Sequence, residues 1–338
     1  MKVLYDLPSS QVSFTFTGCV EDRDLFSYID EFIRECSVSH SWSESTIRSS
    51  HVLRNHLRRY GKVTRLEDFD EAGLDRYVRY LRQVAMMQES SCRKQLKNLQ
   101  WFLTWAIRKG YTRQTAILSY KPKFKIIEKP VIFLAPEELA TLFHFQLPGD
   151  GSVPEAADLE RARDLFCFCA FTSLRYSDMA ALRRGDIRDG ILHVVTRKTL
   201  DSIRIELCPQ ARSILDKYAD GSYPGDRALP VLSNQRMNDL LKELGRLCGL
   251  DTPVAIACFR NGRRVEKIVP KWSVLSTHAG RRTFICFALA SGIPPQVVMK
   301  WTGHSDYKSM KPYIDIAEKT KSDAMRHLGE EWQLSLGG

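Results

Sequence analysis

Residues 119–135, Ser-Tyr-Lys-Pro-Lys-Phe-Lys-Ile-Ile-Glu-Lys-Pro-Val-Ile-Phe-Leu-Ala, divide the chain. Proline lacks the amide hydrogen that a helix interior or a central strand needs. It also pushes the residue before it toward extended geometry. Pro122 and Pro130 therefore argue against a regular element across this stretch, and its four lysines keep it in water. It reads as an extended basic linker. With 338 residues, there is enough chain for a packed core on either side. The fold is expected to be two bodies joined by an extended segment.

The first body reads as four helices. Asp24 to Cys36 places Phe26, Ile29, Phe32 and Ile33 on one face. Ser45 to Tyr60 follows and is ended by Gly61. Asp70 caps a third helix running to Val84. The fourth runs from Ser90 to Lys109, with Gly110 as its stop and Leu96, Leu99, Phe102, Leu103 and Ile107 as its core face. Arg93, Lys94, Lys97 and Arg108 lie on its other faces, and the second helix offers Arg48, Arg54, Arg58 and Arg59. The expected division is a leader over 1–21, in which Gln11 to Thr17 alternates like a strand, a helical domain over 22–118, the linker over 119–135, and a second domain over 136–338.

The second domain opens at Pro136-Glu-Glu-Leu, with proline and acids in a first helical turn. Asp158 to Phe171 is a long apolar helix pattern. Two β-branched runs, 191–196 and 202–207, flank residues 197–201 as a hairpin. Asn234 to Cys248, Thr277 to Ala290 and Pro294 to Trp301 read as helices, the last stopped by Gly303, and helices continue to about Leu328. The fold class is mainly α with a small antiparallel β-sheet (α+β).

The formal charge of +10 is unevenly placed. Residues 40–129 hold 19 Lys/Arg against 8 Asp/Glu, residues 1–39 hold 3 against 7, and residues 130–338 hold 28 against 25. A basic block carried on helices is the electrostatic footprint of a nucleic-acid binder. No apolar run reaches membrane-spanning length and the N-terminus has no secretory core, so a cytoplasmic, nucleoid-associated protein is expected. The nine cysteines include no Cys-x-x-Cys pair, which favours free thiols over disulfides or zinc.

Four contexts in the second domain gather phosphate chemistry: Thr172-Ser-Leu-Arg-Tyr-Ser-Asp178, Thr196-Arg-Lys-Thr199, His278-Ala-Gly-Arg281, and Gly303-His304 followed by Tyr313. Arg175 and Arg281 supply guanidiniums, which fork onto two phosphate oxygens where a lysine cannot. Lys198 lies in the hairpin connection beside Arg197. His278 and Arg281, three apart, share a helix face. Tyr313 is the candidate nucleophile, a phenol that needs nearby positive charge and a base, and Tyr307 is its competitor. Such a set can hold a phosphodiester, attack it and protonate the leaving group, with no metal and no cofactor expected.

The order and spacing of these motifs resemble the tyrosine recombinases, the phage-integrase family of DNA strand-exchange enzymes, over roughly residues 22–330. The resemblance implies an N-terminal core-binding domain that grips one side of the duplex with two helices, and a C-terminal catalytic domain. It implies Arg175 and Arg281 as the phosphate-holding arginines, Lys198 as general acid toward the leaving 5′ oxygen, and His278 as proton acceptor or phosphate partner. His304 would donate to a phosphate oxygen and Tyr313 would form a 3′-phosphotyrosine. Asp178 matches an acidic position that braces Arg175. Two positions depart from the pattern: Ser173 stands where a glycine is common, and Gly280 where many relatives have a larger residue. The implied partners are double-stranded DNA and three further copies in a tetramer on two DNA sites, with room for an accessory DNA-bending protein. The implied reaction integrates, excises or inverts DNA, as in bacterial mobile-element and inversion enzymes. A type IB topoisomerase and a binding-only protein occupying recombination sites are the alternatives. The segment from Glu318 to Leu328 reads as a helix that docks on a neighbouring protomer or on its own domain.

Overall fold

The computed structural model describes residues 23–63, 65–147 and 155–318. The strand expected over Gln11 to Thr17 and the helix expected from Glu318 to Leu328 lie outside them, apart from Glu318 itself. The described residues separate into two compact units, one formed by those up to Lys129 together with Ile256–Lys267, the other by those of Pro130–Ala255 and from Ile268 to Glu318.

In the first unit the helices are α1 (Leu25–Ser39), α2 (Glu44–Tyr60), α3 (Glu71–Gln83), α4 (Glu89–Arg108) and the single turn α5 (Ala116–Ser119). Their ends follow the local chemistry. The Asp24 carboxylate accepts the Phe26 amide at 3.2 Å, and Asp70 Oδ1 accepts the Gly73 amide at 2.6 Å, so each helix start gains an acceptor for an otherwise unpaired N–H. Gly61 closes α2 in the left-handed region at φ 65°. A side chain at Gly73 would place its Cβ 1.8 Å from the Asp68 carbonyl, so only glycine lets the chain enter α3 there. The buried faces meet in one core built on Leu25, Phe32, Leu57, Tyr77, Leu99 and Phe102.

The second unit comprises α6 (Pro136–His144), α7 (Ala156–Thr172), α8 (Tyr176–Met179), β1 (Ile187–Arg188), β2 (Ile191–Val195), β3 (Ser202–Glu206), α9 (Pro209–Lys217), α10 (Asn234–Leu247), α11 (Thr277–Ala290) and α12 (Pro295–Thr302), followed by helical residues 311–318. Helix α7 is buried nearly all round, as a helix at the centre of a domain must be, and packs against α6, α9, α10 and α11. Strands β1, β2 and β3 form an antiparallel sheet in which Leu192 faces Ile205 and Val194 faces Ile203. These four point into the core, while His193, Val195, Arg204 and Glu206 face water. The sheet thus has a single buried side and displays its β2–β3 turn outward. A further hairpin, β4 (Pro253–Arg260) with β5 (Arg263–Pro270), leaves and rejoins the second unit. The fold is mainly helical with small antiparallel sheets. Among the described residues no helix is long and apolar enough to cross a membrane.

Candidate active site

The site is assembled where α7, α11 and α12 meet. Ser173 ends α7 fully buried and in the left-handed conformation, φ 62°. Glycine adopts that conformation freely, and other residues pay roughly 1 kcal/mol. This explains why a glycine suits the position and what Ser173 must offset. Its hydroxyl donates to the Trp301 carbonyl at 3.2 Å, and its own carbonyl accepts from Arg281 Nη1 at 2.9 Å. The turn that delivers Arg175 is therefore tied to both α12 and α11.

Arg281 is only 1% exposed. Besides Ser173, its guanidinium donates to the Thr302 carbonyl, and Nη2 lies 3.3 Å from His304 Nε2. The Thr302 hydroxyl lies 2.8 Å from the Val298 carbonyl and 2.7 Å from His304 Nδ1. With the hydroxyl proton on Val298, the hydrogen-bond network assigns the ring proton to Nδ1 and leaves Nε2 to accept from Arg281. Turning that hydroxyl toward Nδ1 moves the ring proton to Nε2 and makes it a donor. Gly280 lets α11 lie this close to α7: an added Cβ would stand 3.0 Å from the Phe166 carbonyl oxygen and 3.2 Å from Cys169 Cβ.

Arg175 caps α8, and its Nη1 is buried without a hydrogen-bond partner, 3.8 Å from Asp178 Oδ2. Asp178 is 2% exposed, and its other oxygen accepts the Arg197 amide at 2.9 Å. One carboxylate thus faces the arginine and pins the hairpin turn one residue before Lys198. The turn is closed by Thr196 N–H to the Asp201 carbonyl and Leu200 N–H to the Thr196 carbonyl, both at 2.9 Å. Gly303, left-handed at φ 59°, ends α12 where an added Cβ would lie 3.4 Å from Ile203 Cγ2, so His304 follows directly on a contact with the hairpin. A groove of about 500 Å³ opens here between β3 and α12, lined in part by Ile203, Glu206, Trp301 and His304.

His278 lies in the first turn of α11, whose start is fixed on α10 by Thr277 N–H to Asn238 Oδ1 (2.9 Å) and Thr277 Oγ1 to Asn234 Oδ1 (3.0 Å). Neither asparagine is marked in the sequence, and nothing local would have found them. Much of the His278 residue surface is exposed, yet its ring is partly withdrawn from water. That withdrawal, with the charges of Arg282, Arg281, Arg175 and Lys198, pushes its pKa down to about 4. Lys198, and not Arg197, is among those charges. His304 is pushed down to about 3 by burial and by Arg281, Arg175 and His278. Arg281 is lowered to about 9 by burial and by Arg175, so it stays charged at neutral pH. Positive charge exceeds negative throughout the site.

Tyr313 is half-buried against the small cluster of Ile285, Ala288, Val298 and Met310. Tyr307 is 52% exposed and stands in a separate 3₁₀ turn, Tyr307–Ser309. Tyr176 is engaged, donating to the Leu232 carbonyl.

In the first unit Arg48, Arg58, Arg59, Arg93, Lys94, Lys97 and Arg108 are exposed. Arg54 differs: its guanidinium forks onto Asp30 at 2.7 and 2.8 Å, spending its charge inside the domain.

Residues 24–126 match the family model described as the phage integrase SAM-like domain. No curated protein sequence matches the chain. Among solved structures, a lambda integrase (75–356) dimer bound to a COC′ core site is similar over 87% of this chain and 96% of its own, at 17% identity and TM-score 0.65. A lambda integrase tetramer bound to a Holliday junction covers 84% of this chain and 78% of its own, at 17% and 0.59. The Tn1549 transposon integrase in complex with circular intermediate DNA covers 87% and 98%, at 12% and 0.59. At these identities the likeness establishes the fold. The family match thus identifies a phage integrase SAM-like domain over residues 24–126, and the solved structures show that the chain shares the fold of these integrases.

Proposed function

We propose that the chain is a site-specific DNA recombinase that cuts and rejoins DNA through a 3′-phosphotyrosine. The observation that carries this reading is the convergence of two arginines and two histidines from three separated segments on one electropositive site, with Arg175 Nη1 buried and without a hydrogen-bond partner. Arg175 and Arg281 hold the non-bridging phosphate oxygens and stabilise the charge that builds in the transition state. Tyr313 attacks phosphorus. The Tyr313 oxygen–phosphorus bond forms as the bond to the 5′ oxygen breaks; the phenol proton passes to His278, neutral near pH 7, and Lys198 protonates the leaving 5′ oxygen. His304, with its proton on Nε2, donates to a phosphate oxygen. The ester bond is conserved in the intermediate, so reversal with a new 5′ hydroxyl needs no nucleotide or metal.

The DNA bound in the lambda and Tn1549 integrase structures supports double-stranded DNA as substrate, and the lambda tetramer on a Holliday junction supports a homotetramer joining two sites. The exposed cations of α2 and α4 then face the backbone, where contacts position without reading sequence. The test is covalent trapping on nicked DNA fragments from the flanks of the protein's own gene, followed by detergent. A protein–DNA adduct lost in Tyr313→Phe and kept in Tyr307→Phe is expected. An adduct that persists in Tyr313→Phe overturns the nucleophile assignment. A two-site exchange assay then separates a recombinase from a topoisomerase.

A further inference from the structure

The β4–β5 hairpin is not used by the chemistry above. Its strands are eight residues each, joined by Asn261 and Gly262, both left-handed at φ 47° and 73°, which is the two-residue turn that matches strand twist. All six residues from Arg263 to Ile268 are exposed, so β5 offers both of its faces to water, Val265 and Ile268 included. An isolated two-stranded hairpin is marginal by itself. This one is held at its tip, where Arg260 pairs with Gln88 in a β-bridge and Lys125 Nζ stands 5.5 Å from the centre of the Phe259 ring.

Its charge is distinctive. Residues 253–270 contain Arg260, Arg263, Arg264 and Lys267 against Glu266 alone. The second half of the chain, 130–338, has 28 cations against 25 acids, so the hairpin carries all of that half's excess and the remainder is neutral. The single acid is already committed: Glu266 pairs with Arg264 at 2.8 Å, on the same face of β5. The opposite face presents Arg263, Val265 and Lys267 in alternation, and neither cation has an ion pair among the described residues. Charged edges also guard against strand pairing, but that purpose needs no apolar side chain exposed between two cations.

Resting on the recombinase reading, we infer that this face of the β4–β5 hairpin is a second duplex-binding surface, in which Arg263 and Lys267 each contact DNA phosphates. A two-stranded ribbon fits the major groove, and Val265 meets the sugar or base edge between the two contacts.

The experiment measures the binding constant of the full chain for a random-sequence duplex as a function of salt. Each phosphate contact contributes about 0.9 to the slope of log K against log salt. The Arg263→Gln/Lys267→Gln pair should lower that slope by about 2 units. Arg264→Gln, which removes a cation already neutralised by Glu266, should lower it by less. Thermal unfolding of each variant checks that the fold is kept. A wild-type slope in the folded double variant, or equal loss in Arg264→Gln, overturns the inference and leaves the recombinase reading intact. Failure of the wild-type protein to bind any duplex at low salt removes both, and is a distinct result.

Discussion

At the scale of single residues, the site is defined by how little freedom its cations have. Arg281 is buried and anchored to two main-chain carbonyls, those of Ser173 and Thr302. Arg281→Ala leaves both without their partner, a cost of about 1–3 kcal/mol for each buried group left unsatisfied. We expect a clear fall in urea midpoint as well as loss of cleavage. Arg175 holds no main-chain carbonyl but lies 3.8 Å from the buried Asp178 carboxylate, so Arg175→Ala should also lower the midpoint, by leaving that charge without its cation, and reduce the single-turnover cleavage rate by about 100-fold or more. The histidines predict a pH dependence. An unfolded-chain histidine titrates near 6.5, whereas His304 is held down to about 3 and His278 to about 4. As pH falls below 6.5 the unfolded chain therefore binds protons that the native chain refuses, and stability declines with falling pH through that window. The thermal midpoint should be lower at pH 5 than at pH 7, and the difference should shrink in His304→Asn. The same shift keeps His278 unprotonated at neutral pH, so the acid limb of the cleavage profile should not begin near 6.5.

At the scale of elements, close packing of α7 on α11 sets the separation of the two arginines. Gly280 is the point of closest approach, and Gly280→Ala must push the Phe166 carbonyl away. Overpacking of this kind costs about 1–3 kcal/mol. Denaturant unfolding should show that loss, and the single-turnover rate should fall because Arg281 moves with its helix. Asp178 links two other elements, α8 and the β2–β3 turn. Asp178→Ala frees the Arg197 amide and with it the backbone before Lys198. The expected signature is a lower cleavage rate with DNA affinity nearly unchanged, and partial recovery in Asp178→Asn, which keeps an acceptor oxygen for that amide. Equal loss in both variants would assign the effect to the carboxylate charge beside Arg175 instead.

At the scale of the whole molecule, charge is divided by task. Residues 40–129 carry 19 cations against 8 acids, while residues 130–338, which hold the six groups proposed to react, are close to balanced. Binding should therefore weaken steeply with salt, whereas the single-turnover rate at saturating protein should respond far less. Chelator should leave that rate unchanged, because the proposed chemistry assigns every role to the two arginines, the lysine, the histidines and the tyrosine. Inhibition by chelator would count against the proposed chemistry.

Much of this was legible in the sequence. Asp24, Asp70, Gly61 and Gly303 mark helix ends because capping is a matter of neighbouring residues. The β2–β3 hairpin declares itself through alternation on a sheet with one buried face. The order of the six residues proposed to react was likewise the sequence's own pattern. The β4–β5 hairpin was not anticipated: it is open to water on both faces of β5, so the alternation that burial imposes is missing there, and only Asn261-Gly262 announces it. Nor does any pattern in the chain separate Arg54, folded onto Asp30, from its exposed neighbours on α2. Ser173 and Arg281 stand 108 residues apart in sequence and within one hydrogen bond in space. Periodicity and caps come from interactions between chain neighbours and so are written in the sequence. The burial of Arg281, the left-handed Ser173 and the depressed histidines come from contacts between distant segments, which exist only once α7, α11 and α12 have packed.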